Sequence, residues 1–499
     1  MTRTGSEQSK LQLMLAAEAD RMTPARVPED LWRRGRRRYR RRVAGTVAAV
    51  LAVALALPGL LVLAAEPPPV VGASTEGAVP GRVYDPWPWQ APVAQSPPGP
   101  AAILLSGSGN GLGGVDLPGA YGSKIAAVGR DGSYRMLRYA DTYLQVGQRV
   151  RLSPDGRYVV GPDSVEDLIV PGRAGRLSVV DLVTGHSRRF KELPADVPVA
   201  WQPDSAALLL WSQPEASLVN YGETPPFDGN EATYGYAGGS LWLLDLATGE
   251  SRKVLDLGAA VFDPINSVAF APDGRHLAVQ VDRALVLVNT ADGGSRTLAT
   301  LGAGQRLAGT GAFTADGSRL AVLGLDGCAV ACTNAARNQR QWRLTTLDAA
   351  TGQAGPDGGF DPVPGAAVRV AGWQRDGTAV LVTYQDEHHP YYDREPSIEA
   401  PAAYRAVSAA KLLAVRPGGG TTQLIRQEGV WVWDIDVAHD LVVDGRFGGP
   451  SPEPTAFPAA WWLYCLVLTP TVGLLLLVVL VVRWRRRAPR RAVPLPTPN

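Results

Sequence analysis

The stretch Asp386-Glu387-His388-His389-Pro390-Tyr391-Tyr392-Asp393-Arg394-Glu395 gathers two of the chain's five histidines beside several carboxylates. Imidazole and carboxylate groups this close could move protons or hold a metal ion. Neighbouring residues cannot all turn toward one ion, so His388, His389, Tyr391 and Tyr392 are read as a solvated loop that could recognise a ligand. A second pair with chemical potential is Cys328 and Cys332. Outside the cytoplasm two thiols four apart close a small disulfide ring worth about 2 kcal/mol; as a metal site they lack further ligands nearby. A third stretch, Ser212 to Gly239, carries Tyr221, Phe227, Tyr234 and Tyr236 among Asn and Gly. That mixture makes adaptable contacts on binding surfaces, and a plain insertion is the competing reading. Gly109 to Gly114 satisfies G-x-G-x-x-G without the strand, turn and helix that give the motif meaning. No G-x-S-x-G elbow, P-loop or H-E-x-x-H occurs. No catalytic, cofactor-binding or metal residue is therefore assigned, and an enzyme is not expected.

These loops need a scaffold, and a repeated turn supplies it. Leu152-Ser153-Pro154-Asp155-Gly156-Arg157 comes back as Phe270-Ala271-Pro272-Asp273-Gly274-Arg275 and as Phe313-Thr314-Ala315-Asp316-Gly317-Ser318, each followed by an apolar run. Looser copies are Trp201-Gln202-Pro203-Asp204-Ser205 and Trp373-Gln374-Arg375-Asp376-Gly377. Pro presets φ, Asp bonds its own backbone, and Gly takes the left-handed position that a side chain opposes by about 1–2 kcal/mol. A second kind of hairpin turns on Thr-Gly or Gly-rich sequence, as at Asp181 to Gly185, Asp245 to Gly249 and Asp348 to Gly352. Six hairpins of each kind, offset by half a repeat, predict an all-β, six-bladed propeller over 101–445. The last hairpin, Trp431 to Val443, is expected to give its two strands to the first blade, burying edges that an open array would expose. Seven blades are the alternative if Ile103 to Ser106 opens another unit.

The Pro-Asp-Gly-Arg turn followed by an apolar triplet resembles the repeat of the TolB-type and bacterial WD40-like β-propellers over about 345 residues. That resemblance implies the fold and leaves function open, since the family includes binding platforms, peptidase gating domains and lyases. The eukaryotic WD40 signature is missing, Trp433-Asp434 being the only Trp-Asp pair.

The formal net charge of +2 conceals sorting along the chain. Residues 1–42 hold twelve Lys and Arg against five Asp and Glu, and 483–499 hold six Arg and no acid. Between the apolar runs the net is about −11, which excludes nucleic acid as a partner of the central domain. Residues 43–65 carry no charge and match the ~20 residues a membrane-crossing helix needs. A second run, 459–482, opens with Trp461, Trp462 and Tyr464, rings suited to the headgroup level. Arginines flank the first run on its N-terminal side and the second on its C-terminal side. Two spans in a bacterial plasma membrane follow, with both termini cytoplasmic, membrane lipid as a partner and the propeller outside. Cleavage after Ala64 as a signal peptide is the alternative for the first run.

Residues 66–100 are rich in Pro and predict an extended linker that has slack or lies against the domain; 446–458 form the shorter linker. The N-terminal segment, with a short helical pattern at Leu11, Met14, Leu15 and Ala19, resembles actinobacterial membrane proteins of the anti-sigma-factor type, without their zinc ligands. The expected function is non-catalytic binding or sensing of a protein or envelope polymer. The alternatives are a transmembrane regulator that holds a cytoplasmic protein through 1–42, and an extracytoplasmic hydrolase or lyase.

Overall fold

The computed structural model describes residues 13–18, 37, 77–84, 86, 90–108, 123–137, 146–147, 150–162, 175–195, 197–212, 236–262, 266–328, 333–356, 358–386, 408–428, 432–451, 453–454 and 461–487. The chain divides into two compact units, Pro67–Leu463 and the two flanks taken together.

In the large unit the short strands β1 (Val79–Pro80) and β2 (Arg82–Tyr84) precede β3 (Ala101–Ser108), β4 (Ser123–Gly129) and β5 (Tyr134–Met136). Five sheets then follow, each of four consecutive strands. Blade 2 is β6 (Arg151–Leu152), β7 (Tyr158–Pro162), β8 (Gly175–Asp181) and β9 (Ser187–Leu193). Blade 3 is β10 (Val197–Trp201), β11 (Ala207–Ser212), β12 (Tyr236–Asp245) and β13 (Ser251–Phe262). Blade 4 is β14 (Val268–Phe270), β15 (His276–Val281), β16 (Ala284–Asn289) and β17 (Ser295–Thr300). Blade 5 is β18 (Gln305–Leu307), β19 (Arg319–Asp326), β20 (Gln341–Asp348) and β21 (Val363–Pro364), with helix α1 (Asn334–Asn338) between its middle strands. Blade 6 is β22 (Ala367–Trp373), β23 (Ala379–Asp386), β24 (Ser408–Val415) and β25 (Thr421–Gln423). Beyond β26 (Arg426–Glu428), strand β27 (Val432–Val437) pairs with β3, so blade 1 has the order β27-β3-β4-β5. Helix α2 (His439–Val443), β28 (Phe447–Gly449) and α3 (Trp461–Arg487) follow.

The result is the expected six-bladed all-β propeller, with a different closure. One strand from the end of the chain joins three from its beginning, rather than two joining two. Ile103 to Ser106 lie inside β3, opposite Val437 to Asp434, so they complete blade 1 instead of opening a seventh. The expected hairpin over Trp431 to Val443 is a strand followed by α2, whose Leu441 and Val442 are buried. Those two apolar side chains need cover, and a helical turn tucks them against the core where a second strand would expose one.

The apolar core lies between blades. One cluster joins Leu152 of blade 2 to blades 1 and 6 through Ile103, Leu104, Ile435 and Tyr384. Others bridge blades 4, 5 and 6, blades 3 and 4, and blades 2 and 3. Burial from both faces explains why β10 (Val-Pro-Val-Ala-Trp) is buried along its whole length rather than at alternate residues.

Of the two courses expected for the Pro-rich linker, the described residues of 79–100 take the second and lie against the propeller: β1 pairs in parallel with β28 and β2 with β26. Val93 N–H donates to Met136 O at 3.0 Å and Met136 N–H to Ala91 O at 3.1 Å, which covers the outer edge of blade 1. Val79, Val83 and Ala91 are fully buried, so this segment reads as linker by its prolines and behaves as core by its apolar residues.

Of the expected membrane spans, 43–65 lies outside the described residues. The second falls in α3, whose described side chains run unbroken over 468–483 with Leu474, Leu475, Leu477 and Val478 exposed. Among the described residues no helix is long and apolar enough to cross a membrane. The described structure therefore shows the propeller and does not show the two expected membrane spans. In the flanking unit residues 13–18 are helical.

The repeated turns have the geometry their residues dictate. Gly156, Gly274, Gly317 and Gly377 have φ of 74, 66, 72 and 84°, and Ser205 holds the same place at 62°. Asp155, Asp273, Asp316 and Asp376 each accept from the backbone N–H two residues on, at 2.9–3.1 Å. The surroundings differ: a Cβ on Gly156 would collide with the Ala101 carbonyl oxygen, whereas one on Gly274 would meet the movable Gln202 amide at 2.9 Å. Gly274→Ala should then cost about 1 kcal/mol for the left-handed backbone alone, and Gly156→Ala clearly more. Denaturant midpoints of the two variants measure the difference.

Candidate functional site

Successive antiparallel strands reverse direction, so the connections within a blade alternate between two faces. The Pro-Asp-Gly and Thr-Gly turns, joining first to second and third to fourth strands, share one face. Asp155, Gly156, Asp273, Gly274, Asp316, Gly317, Asp376 and Gly377 all lie there. The connections from second to third strand share the other. In blade 4 that connection is Asp282 and Arg283 alone, with Asp282 at a φ of 53°. In blades 1, 2, 3, 5 and 6 it is 109–122, 163–174, 213–235, 327–340 and 387–407. All three loops singled out from sequence belong to this set, a convergence that residue types alone do not reveal.

Within those loops, Tyr221, Phe227, Tyr234, Cys332, His388, His389, Tyr391 and Tyr392 lie outside the described residues. Tyr236 opens β12 and pairs with Phe262 across the ladder. Cys328 is disulfide-bonded, and its carbonyl oxygen accepts from Arg340 Nε at 2.7 Å; Cys465 is free. Thr333 caps α1 by accepting the Ala336 N–H at 3.2 Å.

Both chain ends leave the propeller on the turn face. Val79 N–H donates to Arg446 O at 2.8 Å, and a Cβ on Gly77 would strike Arg130 in the turn of blade 1. Arg130 reaches both Asp440 of α2 at 2.6 Å and the Asp155 carbonyl at 2.8 Å. Arg375 in the turn of blade 6 pairs with Asp444 at 2.8 Å. The strand ends that the long connections join consequently lie at the face opposite the chain ends.

Between the blades runs a set of largely buried polar residues that turn and loop signals do not mark. Each blade junction carries a side-chain to backbone hydrogen bond. Asp436 accepts the Leu152 N–H at 2.8 Å between blades 1 and 2, and Arg151 donates to Pro198 O at 3.1 Å between 2 and 3. Gln202 donates to Gly274 O at 3.2 Å between 3 and 4, and Gln280 accepts the Leu307 N–H at 2.7 Å between 4 and 5. Arg306 donates to Val368 O at 2.8 Å between 5 and 6, and Arg369 donates to Ile435 O between 6 and 1. A charged residue inside an apolar strand, as in Ala-Val-Arg369-Val-Ala or Val-Trp-Asp434-Ile-Asp436-Val, is the sequence signal for them.

The last junction is the most elaborate. Arg369 Nε donates to Tyr384 Oη at 2.8 Å, Tyr384 donates to Asp434 Oδ1 at 2.7 Å, and Arg369 Nη2 lies 3.2 Å from the same oxygen. The Ile435 N–H adds a third donor to Asp434 at 2.8 Å. Burial opposes the charge on Arg369, yet Tyr384, Asp434 and Asp436 together raise its pKa above the ordinary value. Burial pushes the carboxyls of Asp434 and Asp436 upward against the pull of that guanidinium. Arg369 and Asp434 are 3% and 0% exposed, so this cluster is a fastening within the wall rather than an open catalytic site. Among the described residues no group of three His, Cys, Asp or Glu could hold a metal ion.

No known family matches the sequence, and no curated protein does. Solved structures similar to the chain include TolB from Acinetobacter baumannii, at 14% identity and a TM-score of 0.36, over 64% of this chain and 62% of that one. An oligogalacturonate lyase in complex with manganese is similar at 16% identity and a TM-score of 0.38, over 69% and 77% of the two chains. An acylaminoacyl peptidase from Pyrococcus horikoshii is similar at 12% identity and 0.34, over 61% and 43%. The chain thus spans less than two thirds of the TolB chain.

Removing one partner of a buried charge pair leaves the other uncompensated, so Arg369→Ala should lower unfolding free energy by about 3–5 kcal/mol. Tyr384→Phe, which removes one donor, should cost about 1–3 kcal/mol; chemical denaturation checks both.

At α2, burial lowers the pKa of His439, whose ring bonds the Ala371 backbone and lies against Gly372. A histidine held neutral by the fold contributes stability that is full above its unfolded value near 6.5 and declines as pH falls below it. Stability should therefore fall as pH drops below about 6.5, with a shallower slope in His439→Gln.

Proposed function

We propose that this protein is a membrane-anchored extracytoplasmic propeller of actinobacterial type, acting as a non-catalytic binding or sensing module for a protein or cell-envelope polymer. The observation that carries this reading is the placement of every long connection on the face opposite the two chain ends. Blade 4 turns with two residues, so the scaffold does not require the length found in the other five. Excess length gathered on one face of a rigid scaffold is the usual arrangement of a recognition surface. The charge-free run 43–65, the apolar run 459–482 and their flanking arginines support two spans with cytoplasmic termini. With both chain ends on the turn face, the loop face would look away from the bilayer.

A second reading keeps the propeller as the sensory half of a transmembrane regulator. Leu13, Met14 and Leu15 on the short N-terminal helix are 64–74% exposed, which favours a cytoplasmic protein partner for residues 1–42. Turnover of an envelope glycan or peptide by the purified protein would instead support a hydrolase or lyase.

The test uses whole cells. External protease should cut within 213–235 or 387–407 without lysis, and replacing either segment by a short Gly-Ser turn should abolish partner capture while leaving the melting temperature within about 2 °C. Protection of both segments in intact cells would overturn the orientation. Undiminished capture by the loop-shortened proteins would overturn the loop face as the binding surface.

A further inference from the structure

Arg306 stands apart from the other polar residues of the seam. Its guanidinium lies 4.2 Å from the centre of the Trp342 ring, and Nη2 donates to Val368 O at 2.8 Å. The residue is 7% exposed, and among the described residues its Nε–H has no acceptor. Nor is any described carboxylate paired with it, in contrast to Arg369 with Asp434 or Arg130 with Asp440. Gln280, which meets the neighbouring Leu307 N–H through Oε1, has its Nε2 committed to Asp282 O at 2.9 Å. A buried cation is ordinarily paired. Among the described residues the counter-charge is missing here, although the sequence between the apolar runs carries a net negative charge.

The surroundings also fix where a counter-ion would come from. Arg306 sits at the start of the first strand of blade 5, the end nearest the long connections. Trp342 is held beneath it by a bond from Nε1 to Gly365 O at 2.9 Å. Arg340 is also buried and donates to Ala366 O at 3.1 Å, two residues from the Val368 carbonyl that Arg306 meets. An aromatic floor and a planar fork with a free donor form the geometry that receives one oxyanion edge-on.

We infer that Arg306 anchors a site for a single oxyanion, a carboxylate or a phosphate group, at the junction of blades 5 and 6 on the loop side. This site stands independently of whether the long connections bind a macromolecule.

Thermal unfolding of the full-length protein in detergent, titrated with inorganic phosphate or with malonate against chloride of matched ionic strength, tests it. At least one of the two anions should raise the midpoint saturably, by ~3 °C or more at one hundred times its half-saturating concentration. The two arms show which group is preferred. The rise should vanish in Arg306→Gln and persist in Arg275→Gln, an exposed arginine on the turn face. Arg306→Lys should keep the rise with at least tenfold weaker half-saturation, because an ammonium offers no fork. A wild-type response equal to that of chloride, or the same saturable rise in Arg306→Gln, overturns the proposal. Should Arg306→Gln fail to fold, the wild-type tryptophan emission decides. Saturation should change it, and Trp342→Phe should remove that change; an unchanged emission overturns the site.

Discussion

A ring of blades holds only if its last member is fastened to its first, and here a single strand carries that duty. β27 pairs with β3 over Val432 to Val437 and leaves three strands of blade 1 to the other end of the chain. Strand pairing alone would leave the joint as weak as any two-stranded contact. Arg369, reaching from blade 6 to Tyr384, Asp434 and Ile435 O, adds a network that can form in one register only. Buried ion pairs contribute little net stability, and their best-attested use is to fix such a register. The bonds at the other five junctions are simpler, one side chain meeting one backbone group at each.

The sequence makes the blades legible because each depends on a turn with strict residue requirements. Pro, Asp and Gly at fixed offsets mark where strands reverse, and the alternation of two turn kinds counts the blades. The closure is not legible in the same way. Trp431 to Val443 is apolar enough for a hairpin, and only the burial of Leu441 and Val442 under the ring decides for a helical turn. In blade 5 the first strand begins at Gln305, well upstream of the Asp316-Gly317 turn, and Gly309 and Gly311 between them bring the chain against blade 6 at Arg369 and Ala371. The loops that sequence marks as candidates prove to share a face, a fact carried by strand order and invisible to composition. Arg306 and Arg369 are not legible as wall residues, because an isolated charge in a strand looks like solvent-facing alternation until both faces of the sheet are known to be covered.

Electrostatics at the rim follows from the same turns. Asp245 and Asp348 have pKa values lowered by the backbone N–H groups of Thr248 and Thr351, and Asp316 by the hydroxyls of Thr314 and Ser318. Much of the negative charge of the domain is thereby committed to shaping backbone. The outermost strands bring the compensating cations: Ser-Arg-Arg-Phe-Lys in β9, Ser-Arg-Lys in β13 and Ser-Arg in β17. Arg188 and Arg296 reach the carbonyls of the next blade's turn, and the remaining cations discourage pairing of these exposed edges with other chains.

The parallel strap of β1 on β28 has a mechanical meaning. Any pull between the two flanks travels from residue 79 directly to residue 447, through a contact only two or three residues long. Tension would strip that strap before it reached β27, so the disc is insulated from strain by a sacrificial stitch at its threshold.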